Sequence, residues 1–126
     1  MKTLFAATAL MLAGAGAALA ADPVEGVWKT ETGETGGYLH VKIAACGAAL
    51  CGTIDKVVNN DNTSIKGKRM IWDMQAKGNG SYSGGRIWAP DVDKTYRSKM
   101  SLNGNALKVS GCVGPICRGQ TWTRLQ

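Results

Sequence analysis

The sequence predicts an all-β domain, a small eight-stranded antiparallel barrel of the up-and-down type, preceded by a signal peptide. Seventeen glycines and many Asn, Asp and Ser residues divide the chain into short pieces. Apolar residues almost nowhere recur at helical spacing over three turns, whereas they alternate with polar residues along several pieces. Such strands can stack as two sheets or close on themselves, and closure is favoured because it removes exposed sheet edges.

Residues 1–20 have the features of a secretory leader: a positive start with Lys2, an apolar stretch rich in Ala and Leu, and the small-x-small signal Ala-Leu-Ala at residues 18–20. The apolar run is short for a membrane span, and no second stretch of about 18 apolar residues follows. We therefore expect cleavage, leaving residues 21–126 as a soluble periplasmic or secreted domain. An uncleaved anchor helix is the alternative. No lipid anchor is expected, because Ala21 is not cysteine.

The mature part reads as one domain of 106 residues with a modest core, because no interdomain linker or internal repeat is visible. Its formal charge falls from +6 to +5 when Lys2 is removed with the leader. Lys and Arg are spread along the chain, with only residues 66–69 locally dense, and this pattern argues against nucleic-acid binding. Anionic lipid head groups or acidic polymers are the favoured anionic partners.

Four cysteines occur in two segments with equal spacing, CGAALC and CVGPIC. An even number of cysteines in an oxidising compartment is expected to pair, and four allow three connectivities. Local pairs, Cys46 with Cys51 and Cys112 with Cys117, are favoured because each segment looks like a tight turn between strands. A four-thiolate metal site is the disfavoured alternative, since zinc ribbons use two-residue spacing. The reactive Cys-x-x-Cys arrangement of redox enzymes is absent.

Eight strands with mostly short connections follow from the turn residues and the alternation. They are predicted at residues 24–32, 37–45, 50–58, 69–75, 81–89, 94–102, 105–112 and 116–125. The second strand places Leu39, Val41 and Ile43 on one dry face. The sixth and seventh strands alternate in the same way and are joined across an NGN turn, which is a strong hairpin signal. The segment KRMIWDMQ alternates as a strand does, with a short amphipathic helix as the alternative.

A Gly-x-Trp on the first strand and an Arg on the last are the residues by which lipocalins, and calycin barrels generally, are recognised. Gly26, Trp28 and Arg124 resemble them. The resemblance implies that the first and last strands become neighbours and that the indole plugs the barrel floor beneath the guanidinium. Such a contact contributes about 0.5–2 kcal/mol when partly desolvated, and a glycine allows close backbone approach. The alternative is a core tryptophan in any β domain.

A closer resemblance covers nearly the whole mature chain. The ordered blocks DPVEGVWKTE, IAACGAALCGTI, GGRIWAPDVDKTYRSKMSL and LKVSGCVGPICRGQTWTR are similar to those of the DUF2147 family of exported bacterial proteins. This family has no established biochemical activity, so the resemblance implies a calycin-like barrel in the envelope and supplies no catalytic residue. One position departs from the pattern, because Asp93 stands where the family commonly has Gly before Lys-x-Tyr.

The polar residues do not form a recognisable catalytic or metal-binding signature. His40 is the single histidine and lies on the polar side of its strand, where a surface role is favoured. Asp91 and Asp93 fit a β-turn better than an acid–base pair. The NNDN stretch at residues 59–62 lacks the Gly and terminal Glu of a dedicated calcium loop. We expect no enzyme activity, cofactor or bound metal.

The function favoured by these observations is an exported, lipocalin-like, non-catalytic binding protein for a small apolar or amphipathic ligand such as a fatty acid or isoprenoid. Candidates to line the ligand site are aromatic and Met residues at predicted inward positions: Met70, Trp72, Met74, Trp88, Tyr96 and Met100. The alternative is an envelope protein–protein interaction module with a filled barrel core, since eight short strands enclose an interior that side chains alone can fill.

Overall fold

The computed structural model describes residues 21–126, and these form a closed antiparallel barrel of eight strands. The predicted leader, residues 1–20, lies outside the described residues. The strands are β1 (Gly26–Lys29), β2 (Tyr38–Cys46), β3 (Ala49–Val58), β4 (Arg69–Gly78), β5 (Ser81–Ala89), β6 (Lys94–Asn103), β7 (Ala106–Val113) and β8 (Ile116–Arg124). Each strand pairs with the next, and β1 pairs with β8. The predicted all-β, up-and-down architecture is confirmed.

The first strand is shorter than the predicted span of residues 24–32. The backbone before it turns, because Asp22 accepts from two later amides: its side chain from Val24 N at 2.9 Å and its carbonyl from Glu25 N at 2.9 Å. An aspartate that bonds backbone two residues on is a common turn former, and the sequence analysis did not apply this to residues 22–25. β1 therefore starts only at Gly26.

The segment KRMIWDMQ forms a strand, as predicted, and not the alternative short helix. The alternation of inward and outward side chains along this strand is interrupted. Asp73 has a φ of 55°, in the left-handed region, and the β3–β4 pairing shifts register beside it. Ile71 and Met74, three positions apart, are consequently both buried in the core. Trp72 pairs with the exposed Arg86 of β5 on the outer face.

The core lies inside the barrel and contains side chains from every strand. Its largest fully buried members are Trp28, Trp122, Ile43, Ile54, Ile71, Met74, Leu107, Val24 and Val41. Packing is close enough that glycine is required on β5, where a Cβ on Gly85 would lie 2.8 Å from the Trp72 carbonyl oxygen and 3.0 Å from Met74 Cα. Buried polar groups are bonded; Ser98 Oγ, for example, donates to Ser110 O at 2.8 Å.

The two ends of the barrel differ in their connections. We call the floor the end that carries residues 22–25 and the β2–β3, β4–β5 and β6–β7 turns. We call the opposite end, with the β1–β2, β3–β4, β5–β6 and β7–β8 connections, the mouth. The structure pairs the cysteines locally, Cys46 with Cys51 at the floor and Cys112 with Cys117 at the mouth, with Cα–Cα distances of 5.6 Å and 4.0 Å. This is the connectivity that the spacing favoured.

Candidate functional site

The floor is built around the pair that the sequence singled out. Trp28 is fully buried and lies directly opposite Arg124 in the β1–β8 ladder. The guanidinium carbon of Arg124 lies 4.4 Å from the centroid of the Trp28 ring, within the range of a cation–π contact. Gly26 has a φ of 142°, and a Cβ there would overlap the Gln126 carbonyl oxygen. The structure therefore brings Gly26, Trp28 and Arg124 together.

The turn before β1 closes the floor. Arg124 donates to Pro23 O at 2.6 Å and to Glu25 O at 3.1 Å, and Trp28 Nε1 donates to Val24 O at 2.9 Å. Three of the four carbonyls in the turn are thus bonded by these two side chains. Val24 is fully buried as a result and plugs the barrel from below.

Tyr82 ties the same turn to the far wall of the barrel. Its hydroxyl donates to Asp22 Oδ1 at 2.6 Å. Burial, and then the bond to the Asp22 carboxylate, raise the pKa of Tyr82 well above its usual range, so the phenol stays protonated. This end of the barrel is closed by buried side chains and by bonded polar groups.

A cavity of about 600 Å³ lies at the opposite end. Its wall is contributed mainly by inward-facing residues of β5 to β8 and by the β5–β6 turn. The lining residues are Met70, Ile87, Ala89, Pro90, Asp91, Val92, Tyr96, Val109, Gly111, Val113, Ile116, Arg118, Gly119, Gln120 and Trp122. The volume falls within the range of small-molecule sites, roughly 300–1,000 Å³.

The inner part of the cavity is apolar, and its few polar atoms are bonded. Trp122 is buried and its Nε1 donates to Gln120 Oε1 at 2.7 Å. The same oxygen accepts from Glu31 N at 3.2 Å. Arg118 is the one cationic residue and Asp91 the one carboxylate in the lining. A ligand with an apolar body and one charged group would match this wall.

The mouth is surrounded by exposed apolar side chains. Val92, Val113 and Ile116 are 52%, 65% and 61% exposed, and all three line the cavity. Val92 lies in the β5–β6 turn, and the other two flank the β7–β8 turn. Exposed apolar side chains grouped around a cavity are typical of binding sites, whereas single ones on a surface are ordinary.

The six residues predicted to line a ligand site separate into three pairs. Met70 and Tyr96 line the cavity. Met74 and Met100 are buried in the core. Trp72 and Trp88 are outside the lining, which corrects the prediction for these two. The extra residue at Asp73 turns Trp72 outward, and Trp88 alternates with Ile87, which takes the inward position on β5.

The sequence analysis missed the wall formed by β8. Ile116, Arg118, Gln120 and Trp122 recur at every second position and line the cavity together. The period-2 pattern was present in ICRGQTW, but a charged and an amide residue interrupt the apolar pattern by which an inward face is recognised.

Comparisons with known proteins agree with this architecture. Residues 26–124 match the model of a family described as an uncharacterized protein conserved in bacteria (DUF2147). The chain belongs to the DUF2147 family. The DUF2147 barrel is also similar to a solved structure, protein HP1028 from the human pathogen Helicobacter pylori, described as belonging to the lipocalin family. The two are 19% identical, the match covers 82% of this chain and 83% of that chain, and the TM-score is 0.68. No curated protein matches the DUF2147 chain.

The departure of this DUF2147 chain at Asp93 leaves the turn intact. Asp93 has a φ of 51°, the left-handed conformation that glycine adopts most readily. Aspartate tolerates this region better than most residues. Its side chain also accepts a hydrogen bond from Trp88 Nε1 at 2.8 Å. The aspartate therefore ties the turn to β5, and Trp88 has a structural partner on the outside of the barrel.

His40, the one histidine of the sequence, lies outside the cavity lining. His40 stacks on Tyr38 with ring centroids 5.8 Å apart on the outer face. Among the described residues, no group of three or more His, Cys, Asp or Glu is placed to hold a metal ion. The same part of the chain has no helix long and apolar enough to cross a membrane.

Proposed function

We propose that this DUF2147 protein is an exported, non-catalytic binding protein that holds a small apolar or amphipathic ligand in the mouth of its barrel. The observation that carries the proposal is the cavity of about 600 Å³, apolar inside and rimmed by exposed Val92, Val113 and Ile116. Those three side chains lose contact with water when a ligand covers them, which favours binding. The leader-like residues 1–20 support export.

The lining favours ligands with an apolar tail and an anionic head group. The tail would pack on Ile87, Tyr96, Val109 and Trp122, which form the inner wall. The head group would lie near Arg118, which is exposed at the outer part of the lining. Long-chain fatty acids and carboxylated isoprenoids fit this description, and the lipocalin-like barrel is a fold in which such a site is expected at the mouth.

Titration with a fluorescent long-chain fatty acid tests the proposal. Wild-type protein should bind it saturably, with about one site per chain. Gly111→Leu should weaken binding by roughly tenfold or more, since four extra carbons would enter the cavity beside Tyr96 and Ile87. The substitution is feasible, because a Cβ at Gly111 meets its nearest neighbour, Tyr96 Cβ, at 3.4 Å.

Thr95→Leu is the matched control, because Thr95 is exposed, neighbours Tyr96 on β6 and is absent from the lining. It should leave the affinity unchanged. A flat titration of the folded wild-type protein across fatty acids, isoprenoids and retinoids would overturn the proposal. Equal loss of binding in Gly111→Leu and Thr95→Leu would place the fatty acid outside the cavity.

One observation favours a second candidate function, contact with another envelope protein. β8 pairs with β1 only at Arg124 and Thr123, and residues 116–121 are all exposed. Thr121 N donates to the Glu31 carboxylate at 2.7 Å where a strand partner would otherwise lie. An extended peptide can add to such an edge as a further strand. Native mass spectrometry of protein purified from its own cells would separate the two functions, since a bound small molecule supports the first and a stoichiometric partner the second.

A further inference from the structure

Charge is distributed unevenly around the barrel. Strands β5 to β8 contain Lys and Arg residues but no Asp or Glu. The cations are Arg86, Lys94, Arg97, Lys99, Lys108, Arg118 and Arg124. After Asp73 the chain has only two further carboxylates, Asp91 and Asp93, and both belong to the β5–β6 turn. The charged side chains on the outer faces of β5 to β7 are therefore all cationic, and a surface of one sign attracts anions.

Two arginines on this surface lie directly opposite each other. Arg86 on β5 pairs with Arg97 on β6. Both are exposed, while the neighbouring Gly85 and Ser98 are buried, so the arginines lie on the outer face. Like charges placed directly opposite in an antiparallel sheet are destabilising. An anion bound between the two guanidinium groups would remove that repulsion.

The two arginines line a groove that is separate from the cavity at the mouth. It has a volume of about 330 Å³ and includes Lys99 but no carboxylate. The exposed glycines at positions 84 and 114 belong to its lining, so backbone is accessible there without side chains above it. The groove therefore combines three cations with space for a group of several heavy atoms.

Arg97 is held in place by the turn that borders the groove. Its Nη2 donates to Gly114 O in the β7–β8 turn. That turn is closed by the disulfide between Cys112 and Cys117, and both cysteines also line the groove. An oriented guanidinium loses less conformational entropy when it binds an anion, and its remaining N–H groups stay available.

We propose that the groove formed by Arg86, Arg97 and Lys99 binds a phosphate group. Arginine forks match the geometry of phosphate oxygens, and lysine adds a point charge. The group would come either from a soluble phosphate ester or from a phospholipid head group at a membrane surface. This site does not depend on the ligand proposed for the cavity, because the two linings share no residue.

Calorimetric titration with inorganic phosphate and glycerol 3-phosphate at low ionic strength tests the site on the mature chain. Saturable binding of about one anion per chain is expected. Arg86→Gln and Arg97→Gln should each weaken it by roughly tenfold or more, since each removes charged hydrogen bonds. Lys42→Gln is the control: it removes the same charge from an exposed position on β2, which is absent from the groove. It should change the affinity by less than about twofold, through screened long-range attraction alone.

Co-sedimentation with vesicles identifies the source of the phosphate. The source is a lipid head group if the protein binds mixed phosphatidylcholine–phosphatidylglycerol vesicles, if Arg97→Gln abolishes this binding, and if glycerol 3-phosphate competes with it. Saturable binding of the soluble ester without co-sedimentation assigns a soluble ligand. The proposal is overturned if folded wild-type protein binds neither form, or if Lys42→Gln loses as much binding as the arginine variants. Gly111→Leu, which fills the cavity, should leave phosphate binding intact, so this site and the proposed function can fail separately.

Discussion

Replacing Arg124 with Met should release the turn that seals the barrel floor. The substitution removes a guanidinium that lies 4.4 Å from the Trp28 ring centroid and donates to Pro23 O and Glu25 O. It keeps a flexible apolar stem of similar length, so most packing against the indole survives. The measured loss should therefore report on the charge and its bonds.

The expected loss of unfolding free energy is about 2–3 kcal/mol. The cation–π contact contributes roughly 0.5–1 kcal/mol at a partly exposed site. The partly buried bond to Glu25 O contributes about 1.5 kcal/mol, as bonds from charged donors do. The bond to Pro23 O is solvent-exposed and adds little, because water replaces the donor. Arg118→Met, at an exposed position on the same strand, should stay within about 0.5 kcal/mol of wild type.

Urea unfolding followed by far-UV circular dichroism measures both variants with the disulfides intact. A double-mutant cycle with Trp28→Leu, which removes the aromatic ring, tests the ring–guanidinium contact, for which we expect a coupling of about 0.5–1 kcal/mol. Coupling near zero would show that the ring and the guanidinium do not interact. A loss below about 1 kcal/mol in Arg124→Met would refute the inference that the guanidinium holds residues 23–25 in place.

Two further substitutions test the floor by different physics. Gly26→Ala should lower the unfolding free energy, measured by thermal melting, by about 3 kcal/mol or more, because the φ of 142° and the Gln126 carbonyl leave no room for a Cβ. Gly47→Ala is the control: Gly47 has a φ of 67° with open space around it, so the loss should be only about 1–2 kcal/mol. Equal losses in the two variants would contradict the overlap at Gly26. Because the folded pKa of Tyr82 is raised, its contribution to the unfolding free energy should be unchanged up to about pH 10, where the unfolded phenol titrates, and should be lost above that pH. Tyr82→Phe should lower the unfolding free energy by about 1 kcal/mol at neutral pH and should reduce the loss of stability above pH 10. Tyr38→Phe is the control, and an equal reduction in that variant would contradict the assignment of the alkaline loss to Tyr82.

The barrel was predictable because its determinants are local. Strands β2, β6 and β7 each show their inward face as a period-2 pattern of apolar residues. The turns of the barrel carry Gly and Asn at positions that need left-handed backbone. Gly104, for instance, has a φ of 61° in the turn that NGN predicted. The lipocalin resemblance of Gly26, Trp28 and Arg124 implied that the first and last strands are neighbours, and the structure pairs Trp28 with Arg124 across β1 and β8.

The cavity was harder to predict because it depends on distant residues and on a bulge. Strict alternation assigned Trp72 to the interior, but the left-handed residue Asp73 turns it outward. A second register shift between β3 and β4, nearer the mouth, leaves Met70 in the cavity lining. Arg118 and Gln120 occupy inward positions that composition alone would place outside. Polar side chains point inward on β8 only where the cavity is open to water, and a single strand does not show which positions those are.

Residue size along the barrel axis explains how short strands leave a cavity at one end. Near the floor, large side chains such as Trp28 and Met74 fill the interior, as expected for eight short strands. Towards the mouth, β7 contributes Val109, Gly111 and Val113, which are too small to meet across the barrel. Trp122, Met70 and Val109 line the cavity and also belong to the buried core, so substitutions there should change both binding and stability. Substitutions at the exposed rim positions Val92, Val113 and Ile116 should change binding with little loss of stability, and substitutions at the floor should do the reverse.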